Sequence, residues 1–153
     1  MYIPSPPPTE YVTPVTQVCI EQAAYVYKVP AIIIVSVMAQ ESGKVGRYTT
    51  NKNNTRDYGP MAINSSWLPR LYKSGVTESA LINNGCLNIF VGTAILREHA
   101  VSTGGNWWKS VGNYHSKSEF LHNKYLMNVA HKTERLLKGL LTVAGILNYA
   151  NSG

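Results

Sequence analysis

The stretch that decides the fold is PAIIIVSVMAQESG, residues 30–43. Pro30 suits the first turn of a helix, because its missing N–H would have no intrahelical partner there. The β-branched residues 32–35 would also fit a core strand. However, the apolar run continues well past them, and Gly43 is a typical helix stop. The stretch therefore predicts a buried helix with an acid, Glu41, at its end.

Helical periodicity extends outward from this stretch over most of the chain. Residues 44–55 are the exception, because they are rich in Gly, Thr, Asn and Lys and show no hydrophobic period. They predict an irregular loop or a small hairpin. The other predicted helices cover residues 15–28, 65–71, 77–82, 86–101, 107–114 and 120–141. The pattern is that of a mainly α fold with one polar excursion.

Length and composition indicate one globular domain. The chain has 153 residues, of which 44% are hydrophobic and 14% charged. It can bury a core and is too apolar for a disordered tail or a charged coiled coil. Four of its eight prolines fall in the first eight residues. We predict an extended segment over residues 1–14, then a single domain over 15–150. No apolar run approaches the roughly 20 residues that a membrane span needs.

The net charge of +6 favours a polyanionic partner. Nucleic acid, anionic lipid and bacterial cell wall would all be attracted, and charge does not select among them. No recognisable nucleic-acid-binding module supports the first of these. Among the acids, seven of eight are Glu, and Asp57 is the only Asp.

The two cysteines, Cys19 and Cys86, are too far apart for a metal knuckle or a redox C-x-x-C. Buried thiols and a structural disulfide both remain open. A bridge would close a loop of 86 − 19 + 1 = 68 residues, which in the chain-entropy model stabilises by roughly 4 kcal/mol. The histidines show no ligand spacing for zinc, and no phosphate-binding glycine loop is present; they are His99, His115, His122 and His131. We expect neither metal nor cofactor.

Three polar clusters interrupt the helical pattern. They are ESG at residues 41–43, DYGPMAINSSW at 57–67 and NYHS at 113–116. Each has a structural explanation: a solvated acid at a helix end, a turn that enters the core, and a helix end with a polar tip. A Glu in a partly apolar pocket would instead keep its proton toward neutral pH and act as a general acid.

Taken together and in this order, the clusters resemble the lytic transglycosylases of the soluble-type and goose-type lysozyme superfamily. The likeness is closest to small single-domain members associated with conjugation, pilus and secretion systems. It covers roughly residues 15–130, including the Cys19 and Cys86 positions. It implies an α+β lysozyme-like fold, in which a helical domain carries a small irregular hairpin beside the active-site groove.

The resemblance also implies roles for individual residues. Glu41 matches the acid that protonates the β-1,4 bond between N-acetylmuramic acid and N-acetylglucosamine, then accepts the C6 hydroxyl proton as the 1,6-anhydro ring closes. Tyr114 matches a tyrosine that orients this carboxyl by hydrogen bonding. The residues assigned to substrate binding are Ser42, Tyr58, Gly59, Met61, Asn64, Asn113 and His115. The family needs no obligatory second acid.

Two features complicate this assignment. Ala62 stands where the family usually has Gln, so an amide that could bind substrate is absent. Asp57 follows Glu41 by 16 residues in a segment that also resembles the second-carboxylate segment of animal-type lysozymes. A muramidase that uses Asp57 as a catalytic residue is therefore an alternative. A weakly active wall-binding assembly factor is another, motivated by Ala62 and the proline segment.

A wall-cutting enzyme is expected in the periplasm, where disulfides form, so the resemblance favours a Cys19–Cys86 bridge. The first residues lack the basic start and apolar core of a secretory signal. We therefore expect that any such signal is absent from this sequence. Peptidoglycan strands are the expected partner, with a secretion, pilus or conjugation machine as a second. The apolar tail, residues 136–150, is a packed helix or a docking face, and packing is favoured.

Overall fold

The computed structural model describes residue 3 and residues 12–152. Within this part of the chain the fold is helical with one small sheet. The helices are α1 Gln17–Tyr27, α2 Ala31–Glu41, α3 Leu68–Tyr72, α4 Glu78–Asn83, α5 Gly85–Ser102, α6 Trp107–His115, α7 Glu119–Leu137 and α8 Val143–Ala150. The strands are β1 Tyr48–Thr50, β2 Arg56–Tyr58 and β3 Ile63–Asn64. The predicted α-rich class is confirmed. Most of the proline-rich segment lies outside the described residues.

Helix α2 is a buried helix, and the strand alternative for its β-branched run is wrong. Residues 33–38 are all buried, because apolar side chains surround the helix on nearly every face. The helix ends at Glu41, and Ser42 adopts the left-handed conformation (φ 54°) that terminates it. Gly43 has a different role from the predicted stop: a Cβ there would overlap the carbonyl of Gly59.

Helix α7 packs along α2 and runs antiparallel to it, since Ser36 bonds Thr133 and the later Glu41 bonds the earlier Tyr125. The buried hydroxyl of Ser36 accepts a 2.7 Å hydrogen bond from Thr133 and donates a 2.6 Å bond to the carbonyl of Ile32. This polar contact satisfies Ser36 inside an otherwise apolar interface. It also helps to set the register of the two helices, on which the residue that α7 places beside Glu41 depends.

Helix α5 lies at the centre of the fold and packs against α1, α4 and α6. Its Asn88 is fully buried. The Asn88 Nδ2 donates to the carbonyls of Tyr58 (2.7 Å) and Leu81 (3.0 Å), and its Oδ1 accepts from the Met61 N–H at 2.9 Å. One amide therefore attaches the sheet and its following turn to the central helix.

The predicted irregular hairpin is a three-stranded antiparallel sheet in the order β1-β2-β3. Asp57 occupies the middle strand, opposite Thr49 on one side and Asn64 on the other. Alternation along β2 buries Tyr58 against the core, so its neighbour Asp57 is directed to the opposite face.

The C-terminal residues are tied into the fold, as the packing interpretation predicted. Helix α8 packs against α2, and the carbonyl of Ala150 accepts a 2.8 Å bond from the Val45 N–H. The Asn151 side chain bonds both backbone groups of Val15, at 2.8 and 2.9 Å. Helix α7 ends at Leu137, four residues earlier than predicted.

The Cys19–Cys86 disulfide is present and joins α1 to the start of α5, with Cα atoms 5.7 Å apart. This confirms the bridge that the resemblance favoured. None of the helices in residues 12–152 has the length and apolarity required to cross a bilayer.

Candidate active site

Glu41 lies at the exit of the buried helix α2, where the apolar core meets a cleft. Burial raises the pKa of its carboxyl to about 7. A hydrogen bond from Tyr125 lowers this pKa, and the negative charge of Asp57 raises it by a smaller amount than burial does. A large share of the Glu41 carboxyls therefore carries a proton at neutral pH, as a general acid requires.

Tyr125 of α7 is the residue that orients Glu41. Its hydroxyl donates a 2.8 Å hydrogen bond to Glu41 Oε1, which leaves the second carboxyl oxygen available. Burial and the nearby Glu41 charge raise the pKa of Tyr125 far above its usual range, so the phenol stays protonated. The ring of His115 stacks on Tyr125, with centroids 4.8 Å apart and planes 7° from parallel.

Tyr114 was the expected partner of Glu41, and the structure corrects this. Its hydroxyl donates to the carbonyl of Met61 at 2.7 Å, so it secures the turn that carries Ala62. Burial and the charges of Glu41 and Asp57 raise the pKa of Tyr114 well above its usual value. Sequence periodicity places Tyr125 on the buried face of α7, but no local motif marks it as the partner of Glu41.

Asp57 lines the same cleft as Glu41 and is held by two amides. Its Oδ2 accepts from Asn51 at 3.0 Å and its Oδ1 from Asn64 at 2.9 Å. The Asn64 amide also donates to the Thr55 hydroxyl at 3.1 Å. These bonds fix the orientation of the carboxylate.

The cleft has two arms that meet at Glu41, Asp57 and Ala62. The first arm encloses about 620 Å³ and the second about 280 Å³. The first arm is otherwise lined by Asn51, Lys52, Asn53, Thr55, Asn64, Ser66, Trp67, Tyr114 and His115. The second is otherwise lined by Ser42, Gly43, Lys44, Arg47, Tyr48, Thr49, Gly59 and Tyr149. Glu41 therefore lies where the two arms of the cleft meet.

A sequence model described as "Transglycosylase SLT domain" matches residues 18–137. The chain belongs to this family. The resemblance to lytic transglycosylases is thereby confirmed, and the family's activity and its peptidoglycan substrate apply to the SLT domain in general terms. Helix α8 lies beyond the matched residues.

This chain aligns with several curated proteins over most of its length. It is 32% identical over 122 residues to a "Peptidoglycan-binding-like protein" of Escherichia coli O157:H7, covering 74% of this chain and 72% of the relative. It is 29% identical over 127 residues to "Invasion protein IagB" of Salmonella typhimurium strain SL1344, covering 80% and 78%. "Protein IpgF" of Shigella flexneri is 30% identical over 99 residues, with 64% of each chain covered.

Four of the seven predicted substrate-binding residues line the cleft. Ser42 and Gly59 line the second arm, and Asn64 and His115 line the first. Asn113 lines neither arm.

For two other predicted binding residues, the expectation is wrong. The side chains of Tyr58 and Met61 are 1% and 0% exposed, because one packs edge-on to Tyr48 and the other lies against Gly92. These side chains support the groove from beneath.

Ala62 lies where the two arms meet, in the left-handed conformation (φ 51°). Its methyl group cannot hydrogen-bond a sugar, so the SLT domain lacks an amide donor at this point. Within residues 12–152, no three His, Cys, Asp or Glu side chains cluster as a metal site would require.

Proposed function

We propose that this chain is a peptidoglycan lytic transglycosylase in which Glu41 alone transfers the proton in both steps. The bond cleaved is the β-1,4 bond between N-acetylmuramic acid and N-acetylglucosamine, and the product carries a 1,6-anhydro ring. The observation that carries the proposal is the position of Glu41, a carboxyl with a pKa of about 7 at the meeting point of two arms.

In the first step, the protonated Glu41 donates its proton to the glycosidic oxygen, and the bond from muramoyl C1 to that oxygen breaks. In the second, the Glu41 carboxylate accepts the proton of the muramoyl C6 hydroxyl as O6 bonds to C1. The proton lost in the first step is regained in the second, so no water is consumed. Tyr125 keeps the carboxyl aimed through both steps by its bond to Oε1.

Asp57 acts electrostatically in this scheme. Its carboxylate, fixed by Asn51 and Asn64, faces the groove where positive charge develops on the sugar ring. Its charge also helps to keep Glu41 protonated. The presence of Asp57 where the arms meet equally supports the second candidate, a muramidase in which Asp57 is the nucleophile and water completes the reaction.

Product analysis separates these candidates. Purified peptidoglycan is digested by the wild type and by Glu41→Gln and Asp57→Asn variants, and the muropeptide masses are read by mass spectrometry. We expect anhydro products, lost with Glu41→Gln and reduced with Asp57→Asn. Products heavier by one water and lost in both variants would establish the muramidase. Binding of sacculi without release of muropeptides would establish the wall-binding assembly factor.

The proposed cellular role is local opening of the periplasmic wall for a secretion, pilus or conjugation machine. Two observations support it: the word "invasion" in the name of the relative IagB, and a disulfide, which is typical of oxidising compartments. Fractionation of the host should recover the chain with periplasmic marker proteins. Replacing the gene with a Glu41→Gln allele should lower the number of assembled machines per cell, and an unchanged number would refute the role.

A further inference from the structure

A third cavity opens beside the catalytic groove. This side pocket encloses about 410 Å³ and shares Ser42, Gly43 and Tyr149 with the second arm. Its other lining residues include Lys132, Leu140, Leu141, Ile146 and Ala150. The shared residues show that the side pocket and the second arm adjoin each other. A group that branches from a ligand in the groove would therefore lie beside the pocket.

The side pocket combines apolar walls with positive charge. Leucine and isoleucine side chains of the 140–146 segment form much of its surface, and none of its lining residues in the described part of the chain is acidic. Lys132 lines it from α7 and forms no ion pair within residues 12–152. Lys44, in the adjoining second arm, lies 4.6 Å from the centre of the Tyr149 ring. The pocket thus favours a ligand that carries both carboxylates and small apolar groups.

The wall formed by α8 is an anchored part of the molecule. Ala150 and Asn151 are hydrogen-bonded to residues at the start of the fold and after α2, so the pocket exists before a ligand arrives. A volume of about 410 Å³ falls in the roughly 300–1,000 Å³ range of small-molecule sites, enough for a few peptide residues. Much of this wall follows the matched family segment, which ends at residue 137.

We infer that the side pocket binds the peptide stem attached to a muramic acid in the groove, so that this chain prefers peptide-bearing glycan strands. The inference rests on the proposed function. A stem peptide is joined to the glycan through the lactyl group, so it branches from a strand lying in the groove, next to which the side pocket lies. Its carboxylates would pair with Lys132, and its alanine methyl groups would contact the apolar wall.

The test compares two substrates: intact glycan strands and the same strands stripped of peptides by an amidase. We expect the wild type to cleave the intact strands several-fold faster. Lys132→Met should lower the intact-to-stripped rate ratio by roughly three- to ten-fold, the size of a half-exposed charge-assisted hydrogen bond. Lys73→Met is the matched control, because Lys73 is exposed and lines none of these cavities. It should leave the ratio unchanged.

A second pair of variants tests charge without removing the lysine. Leu140 is 65% exposed and lines the pocket, so substitution there does not disturb the core. Leu140→Asp should lower the ratio more than Leu140→Asn, because the added carboxylate repels the stem. Added salt should reduce this difference.

Failure of the inference is distinct from failure of the proposed function. Active wild type with equal rates on both substrates, or Lys132→Met indistinguishable from Lys73→Met, would overturn the stem-peptide site. In that case an acyl chain or a partner protein would become the occupant to seek. Absence of cleavage of either substrate would overturn the proposed function itself. Titration with free acidic tripeptide stem gives a direct readout: the wild type should bind it, and Lys132→Met should bind it more weakly.

Discussion

Glu41 is a carboxyl whose surroundings favour the neutral form. Burial is the main cause of its raised pKa, and the bond from Tyr125 works in the opposite direction. The two effects have different uses: burial retains the proton that the first step needs, and the tyrosine stabilises the carboxylate that the second step needs. The residue is thereby suited to act first as acid and then as base.

The raised pKa of Glu41 has a cost in stability that depends on pH. The folded carboxyl holds its proton to about pH 7, whereas its ordinary pKa is 4.5. Folding is therefore favoured fully below pH 4.5, and stability is lost as pH rises through 7. We predict that Glu41→Gln raises the free energy of unfolding at pH 8 by about 2 kcal/mol over wild type. Near pH 4 the two should be nearly equal, as measured by urea unfolding. Equal stability at both pH values would contradict the burial of this charge.

Tyr125 should control the pH profile of catalysis. In wild type, kcat/KM should decline as pH rises through about 7, where Glu41 loses its proton. Because the Tyr125 bond lowers the Glu41 pKa, Tyr125→Phe should move this decline to higher pH. The same change should reduce kcat/KM below the decline by roughly ten-fold.

The matched control is Tyr114→Phe, which removes a hydroxyl bonded to the Met61 carbonyl. We expect it to lower the free energy of unfolding by about 1 kcal/mol and to leave the midpoint of the decline unmoved. A shift with Tyr114→Phe and none with Tyr125→Phe would restore the role that the sequence assigned to Tyr114.

The difference between these tyrosines shows which properties of a single residue can be predicted from sequence. Glu41 could be selected because a local motif and an apolar run surround it. Tyr125 could not, because its partner depends on the register of α7 along α2, which Ser36 and Thr133 help to set. Likewise, alternation along β2 buries Tyr58, although it belongs to the same motif as Asp57.

At the scale of elements, the backbone just after α2 lies against the turn that follows β2. The local sequence pattern of neither element predicts this contact. Gly43 was predicted as a helix stop, a role that Ser42 fills. What requires glycine at position 43 is the carbonyl of Gly59, sixteen residues away and part of the turn after β2. Helix existence was predictable from periodicity, whereas this close approach is a property of two elements in contact.

A variant of Asn88 tests whether this side chain attaches the sheet to α5. Replacing it with Ala leaves two carbonyls and one N–H buried without partners, those of Tyr58, Leu81 and Met61. We predict that Asn88→Ala lowers the free energy of unfolding by about 3 to 5 kcal/mol. Urea unfolding at neutral pH measures this loss.

The control is Asn83→Ala on the neighbouring helix α4, where the side chain donates an exposed hydrogen bond to the Ser79 hydroxyl. Its cost should stay within about 0.5 kcal/mol. Comparable losses in the two variants would mean that Asn88 does not attach the sheet to α5.

At the scale of the whole molecule, the disulfide encloses the elements that carry Glu41 and Asp57. Cys19 and Cys86 lie 67 residues apart, and the enclosed segment contains α2, the sheet, α3 and α4. We predict that the Cys19→Ala/Cys86→Ala double variant loses about 4 kcal/mol of unfolding free energy. Its kcat, measured where it remains folded, should match the wild type. Denaturant unfolding with and without reductant checks the first expectation, and a large fall in kcat would contradict the second.

The overall class and the bridge were accessible from the sequence, because helical periodicity is strong and ordered motifs carried the family resemblance. The side pocket was not accessible in the same way. It forms only when residues 140–150 fold back onto α2. An apolar tail has the same sequence pattern whether it packs against its own core or docks on a partner protein.

The bonds between Asn151 and Val15 place the two ends of the domain side by side. A linker could therefore join residue 152 to residue 12, which keeps Thr13 and its backbone bonds to residues 83 and 85, and the chain could be opened elsewhere. Gly104 and Gly105 are suitable points, because a Cβ at either would meet no neighbouring atom within 4 Å and neither lines the groove. In such a circular permutant, α8 would be synthesised before α1 yet occupy the same place. The groove depends on which segments are adjacent, and their order along the chain can change.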